Sequence, residues 1–137
     1  MTTIETVHQK IIDILTESNI SYGLKGERIY VRQGSAAVFI KVEAWLGDHV
    51  VVELVCPVLK DVERTPGLLG KLDELNKALF FGKAYTHDRG VWLAHNLLGD
   101  HLDPQELLAC VGLMARVADK LDDDLKGEFG GVRFAEE

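Results

Sequence analysis

Apolar and polar residues alternate most strictly over residues 36–58. Val38, Ile40, Val42, Ala44 and Leu46 stand two apart, interleaved with Phe39, Lys41, Glu43 and Trp45. Gly47-Asp48 interrupts the run. In the run that follows, Val52, Leu54, Cys56 and Val58 share one face and Val51, Glu53, Val55 and Pro57 the other. A period of two sends successive side chains to opposite faces of a strand, and two such runs around a Gly-Asp turn predict a hairpin. One face of it is dry, while the other mixes charge with Phe39 and Trp45. A dry sheet face has to be covered, and the flanking segments have the periodicity of helices.

Ile4, Val7, Ile11, Ile14 and Leu15 recur at helical spacing behind Thr2-x-x-Glu5, a capping-box pattern, and predict an amphipathic helix over 3–18. Residues 22–24 could form a short strand. Residues 28–32, with Ile29 and Val31 alternating against Arg28, Tyr30 and Arg32, predict a full one that Gly34-Ser35 turns into the hairpin. Thr65-Pro66 opens a second helix, with a threonine cap and proline at the first helical position; Leu68, Leu72, Leu75 and Leu79 step along it by four, three and four. Two strands follow, 84–87 and 91–97, around Asp88-Arg89-Gly90. Val91, Leu93 and Leu97 face one way with His95; Trp92, Ala94 and Asn96 face the other. Asp103-Pro104-Gln105-Glu106 starts the last helix, whose seam is Leu107, Val111, Met114, Ala118, Leu121 and Leu125 and whose expected stop is Gly127. Beyond it, Phe134 is available to pack back. The order α-β-β-β-α-β-β-α predicts an α+β fold: a five-stranded antiparallel sheet with helices packed on one face. Repeats and linkers are absent, so residues 1–137 are expected to form a single domain.

Composition narrows the function classes. With 22 acidic against 15 basic residues the net charge is −7, which repels a phosphate backbone, so no nucleic-acid partner is expected. No apolar run is long enough to span a bilayer, and the N-terminus has no signal-peptide pattern, so the expectation is a cytoplasmic protein with no membrane partner. Cys56 and Cys110 lie in apolar runs and read as buried free thiols.

Candidate chemistry is sparse. None of His8, His49, His87, His95 and His101 has a metal-type spacing to another ligand, so neither a metal nor a cofactor is expected. Asp119, Asp122, Asp123 and Asp124 lack the calcium-loop pattern; they read as a solvated helix face, with docking of a basic partner as the alternative. The informative positions point away from the helices. If Val38, Ile40, Val42, Val52 and Leu54 face inward, then Tyr30, Phe39, Trp45, Val51 and Val55 face outward, with Trp92 a further candidate. Aromatic residues gathered on a sheet face mark a surface for a protein or peptide partner, or for a second copy of the chain. An alternative dimer surface is the helix carrying Leu68, Leu72, Leu75 and Leu79. A remoter alternative is an enzyme or small-ligand domain in which His49, His87 and His95 converge in a pocket.

Several local phrases carry a family likeness: Gly34-Ser35-Ala36-Ala37-Val38 into the hairpin, Val55-Cys56-Pro57-Val58 out of it, and Leu72-x-x-Leu75-Asn76 in the middle helix. The most specific is the tail, Ala118-Asp119-x-Leu121-Asp122-Asp123-x-Leu125 followed by Phe129-Gly130-Gly131. On these the chain resembles the YbjN / type III secretion chaperone-like proteins, in their short, single-domain, peptide-binding group. The resemblance implies a curved antiparallel sheet and a non-enzymatic, chaperone-like protein, acidic and often homodimeric, that holds extended segments of partner proteins. It supplies no catalytic residues.

Overall fold

In chain order the elements are α1 (Ile4–Glu17), β1 (Gly23–Lys25), β2 (Arg28–Gln33), β3 (Ala36–Trp45), β4 (His49–Lys60), α2 (Pro66–Ala78), β5 (Lys83–His87), β6 (Gly90–Leu98), α3 (Pro104–Phe129) and β7 (Val132–Arg133). This computed structural model describes residues 2–134. The strands form one antiparallel sheet in the order β1-β2-β3-β4-β6-β5, and β7 pairs with β4. The sheet is thus larger than the five strands expected. The additions are β1 and the two-residue β7, both too short to impose a period on the sequence.

The dry face of the hairpin is where alternation places it. Val38, Ile40, Val52, Leu54 and Cys56 have no accessible surface, and they meet Val7, Ile11 and Leu15 of α1 and Leu107, Met114 and Leu125 of α3. Each such side chain contributes about 1.5–3 kcal/mol of burial. The alternation does not extend as far as the sequence suggests. Ala44 is exposed although its partner Val50 is buried, and Leu46, 72% exposed, turns (φ 51) before Gly47 (φ 83). Leu68 and Leu72 of α2 are buried in the same core, with Leu75 and Leu79 packed against it.

Capping chemistry sets the helix ends. The cap of α1 is Thr3, one residue later than the Thr2-Glu5 box predicts. Its Oγ1 accepts the Thr6 N–H at 3.1 Å and lies 2.7 Å from the Thr6 hydroxyl. Thr65 and Asp103 cap α2 and α3 as expected, each followed by proline. Gly127 does not stop α3. It stays helical, and the chain leaves the helix at Gly130, whose φ of 77° is the left-handed value glycine adopts without strain. Lys83 Nζ donates to the carbonyls of Leu79 (2.6 Å) and Asn76 (2.9 Å), holding the end of α2. The Asn76 amide covers the edge of β5: its Nδ2 donates to Ala84 O, and its Oδ1 accepts the Ala84 N–H at 2.8 Å. At the opposite end of the sheet, Asp100 accepts the Val50 N–H at 2.9 Å and lies 3.2 Å from His49; chiefly that amide bond holds its carboxyl below the usual range.

One irregularity in the sheet matters for function. The β3–β4 ladder runs from Trp45↔His49 to Phe39↔Val55 and stops there. Pro57, which has no amide to donate, and a register shift between Pro57 and Leu59 follow on β4. Past that point Leu59 and Lys60 pair with β6 on one edge and with β7 on the other, so the C-terminal strand takes the position that β3 has vacated.

Candidate functional site

The face turned away from the helices is built in rows by the strand register. Tyr30, Phe39, Val55 and Ala94 are paired in sequence across β2, β3, β4 and β6. The next row of the hairpin is Lys41, Glu53 and Asn96, and the one after it Glu43, Val51 and Leu98. Trp92 stands opposite Pro57 on the other side of the aromatic row.

The sequence-predicted site residues divide between two places. Phe39, Val55 and Trp92 line a groove of about 550 Å³, floored also by Pro57 and closed at one end by Val132 and Phe134. Tyr30 flanks it, its ring 5.9 Å from that of Phe39. Trp45 and Val51 lie instead in a separate hollow of about 420 Å³ with Leu98, beyond the charged row. Trp45 is 55% exposed there. The sequence does not settle where Trp92 points. In the structure it is half-buried in the groove, with Nε1 donating to His87 O at 3.3 Å. Of the four leucines of the alternative dimer helix, Leu68 and Leu72 are buried in the core, while Leu75 and Leu79 are partly buried against it.

The groove's charge runs against that of the molecule. Its charged lining is Lys25, Arg28, Lys41 and Lys60 against Glu27 and Asp88, in a chain of net charge −7. Lys41 also lies 2.8 Å from Glu43, whose hydrogen bond raises the ammonium above its ordinary pKa. A cationic rim around an aromatic floor can hold an apolar side chain while attracting carboxylates at its edge.

The histidines of the remote enzyme reading do not converge. His49 and His87 are exposed at opposite ends of the sheet, beside Asp100 and Asp88. His95 is half-buried, accepts the Gly82 N–H through Nδ1 at 3.2 Å and packs on Phe81. Among the described residues no cluster of three or more potential ligands could hold a metal ion. Burial pushes the Cys56 thiol up to about 12 and Cys110 upward too; both are free.

The acidic run on α3 holds the chain to itself. Asp119 accepts from the Ser35 hydroxyl in the β2–β3 turn. Asp122 and Asp123 receive Arg133, at 3.4 and 2.7 Å. This corrects the expectation of a solvated face at Asp119 and Asp122, which meet donors from the β2–β3 turn and from the segment after α3, whereas Asp123 and Asp124 are exposed as expected. Burial, with the Asp123 carboxylate beside it, pushes Asp122 up to about 6, and Arg133 opposes that rise. Two phrases of the family likeness, Gly34-Ser35 and the tail motif, are therefore in contact.

Comparison with known proteins agrees with this fold. The structure superposes on that of the ExsC–ExsE complex with a TM-score of 0.67 at 16% identity, covering 90% of this chain and 96% of that one. It superposes on YbjN from E. coli with a TM-score of 0.63 at 9% identity, covering 88% and 93%. At these identities the likeness is one of fold. A search of curated proteins finds no match. No helix among the described residues is long and apolar enough to cross a membrane. By sequence, residues 4–137 match the family described as T3SS (YopN, CesT) and YbjN peptide-binding chaperone 1, and the chain belongs to that family.

Proposed function

We propose that residues 1–137 act as one non-enzymatic, chaperone-like binding domain that holds an extended segment of a partner protein in the groove of the outer sheet face. The observation that carries this reading is the groove itself: Phe39, Trp92, Val55 and Pro57 form a half-buried apolar floor on a face that no helix covers, in a chain of a peptide-binding family. Membership of that family supports a protein or peptide partner, as does the likeness to ExsC, which was solved in complex with ExsE. Extended peptides dock on sheets partly through side-chain pockets, and the groove supplies an apolar one.

The test is a tagged pull-down from the native host's lysate, read by mass spectrometry, with Phe39→Asp alongside. A partner retained by wild type and lost by at least tenfold from the variant, with circular dichroism unchanged, is the expected result. Full retention by a folded Phe39→Asp chain removes the groove as the site.

A second reading, self-association without a client, draws support from Phe80 (93% exposed), Phe81 and Tyr85, which surround the edge strand β5. Light scattering over a dilution series should then report a dimer, and a monomer at every concentration disposes of it.

A further inference from the structure

The groove already has an occupant at one end. Residues 132–134 enter it as an extended segment, pairing antiparallel with β4 at Leu59↔Arg133 and Lys60↔Val132. The Phe134 ring meets Phe39 edge-on at 6.3 Å, and the Arg32 guanidinium lies 5.2 Å from its centroid. We propose that this segment is a displaceable strap occupying part of the client's seat. The client is then an extended, acidic segment that pairs with β4 and places an aromatic side chain beneath Arg32. The inference rests on the groove reading proposed above.

Three features favour displacement over permanent structure. The strap is a two-residue strand whose residues remain half-buried. It follows Gly130 and Gly131, both at positive φ (77° and 89°), and Gly130 stands in open space where the chain bends from α3 towards the sheet, while Gly131 packs closely against Lys60 and Val62. Its polar anchor is Arg133 on Asp122 and Asp123, and Asp123 is 71% exposed, so water competes for that pair. The edge it occupies is the one left when β3 parts from β4 after Val55. An incoming strand that displaces it inherits both the ladder and the aromatic seat. The occupant's charge complements the rim, where Lys25, Arg28, Lys60 and Lys41, the last of them paired with Glu43, stand against Glu27 and Asp88. The chain's own tail has the same character, since Phe134 is followed by Ala135, Glu136 and Glu137.

The experiment uses the full chain and a labelled synthetic peptide of residues 130–137, Gly-Gly-Val-Arg-Phe-Ala-Glu-Glu, titrated by fluorescence polarisation. In the Arg133→Ala/Phe134→Ala variant the built-in strap loses both anchors. The peptide should bind this variant at least tenfold more tightly than wild type. The same peptide with alanine for its phenylalanine should lose at least tenfold, and lysine in place of its two glutamates should weaken binding most at low salt. Equal affinity for variant and wild type, or no binding to either, overturns the strap. Tighter binding to wild type does so as well, since the segment would then be a wall of the groove. Failure of the groove reading looks different: the peptide binds the double variant while no lysate partner depends on Phe39.

Discussion

Alternate residues of β4 are nearly alike in character and opposite in fate. Val52, Leu54, Cys56 and Val58 are at most 1% exposed beneath the helices, whereas Val51, Val55 and Pro57, on the other face of the same strand, stay half-buried beside water. The difference lies in what arrives to cover them. Helices α1 and α3 carry whole apolar faces to the inner side; to the outer side the chain brings the C-terminal strap. Apolar residues left on a face without its own cover are available to something outside the chain.

The comparison is broken most directly by stability. Leu54→Ala, in the fully packed layer, should cost about 2–5 kcal/mol, because the removed atoms leave a cavity that the layer cannot close. Val55→Ala, one residue away, should cost less than about 1 kcal/mol, since water already reaches the site and a half-buried side chain has less burial to lose. Urea unfolding of the two variants measures both. Equal losses would make the outer face a second core and remove the case for a docking surface.

The outer face itself divides in two, and binding should follow the division. Phe39 lies in the groove, and Trp45 in the hollow beyond the Lys41–Glu53 row. Phe39→Asp should weaken a retained partner by at least tenfold, about 1.4 kcal/mol. Trp45→Asp should change it by less than threefold. A larger effect at Trp45 would show the client lying across the charged row and occupying both hollows.

The sequence reveals the inner face more fully than the outer one. Alternation over 38–42 and 52–58 and the caps at Thr65 and Asp103 are strong local signals that tertiary structure had no reason to override, and the predicted architecture follows from them. Thr3 displaced Thr2 as a cap because both are threonine and local pattern alone cannot rank them. Ala44 and Leu46 continue the apolar alternation yet are exposed, because alternation assigns a face and not the cover over it. The outward residues are correctly assigned to one face, but their division into groove and hollow depends on register, and register across β2, β3, β4 and β6 is non-local. The strap escapes pattern reading altogether. Its two strand residues have no period, and its anchors are carboxylates on α3 that resemble an ordinary solvated run. The usable signal was Val132-Arg133-Phe134, an apolar-basic-aromatic run directly after a pair of glycines.

The finest test of the contrast between faces is the pH dependence of that anchor. Asp122 is 8% exposed, and burial together with Asp123 holds its folded pKa at about 6 against an ordinary 3.8. The sign follows from proton linkage. Below the ordinary value the carboxyl is protonated in both folded and unfolded chains and has no effect. Between the two values the folded chain binds the proton more tightly. Above about 6 the carboxylate is ionised in both states, and the folded state bears the cost of holding it among Asp119 and Asp123 with Arg133 as partial compensation. Stability from this group is therefore lost as the pH rises from about 4 to about 6. Asp122→Asn removes the titration, so its melting temperature should gain on wild type across that window and then level off. The gain at pH 7 should be about 1 kcal/mol, as expected where water reaches the neighbouring Asp123. A gap that instead closes, with wild type the more stable chain at pH 7, would mean that Arg133 outweighs burial. The strap would then be an ion-paired part of the fold, as fixed as the inner face, and the contrast between a permanently covered face and a provisionally covered one would fail at that point.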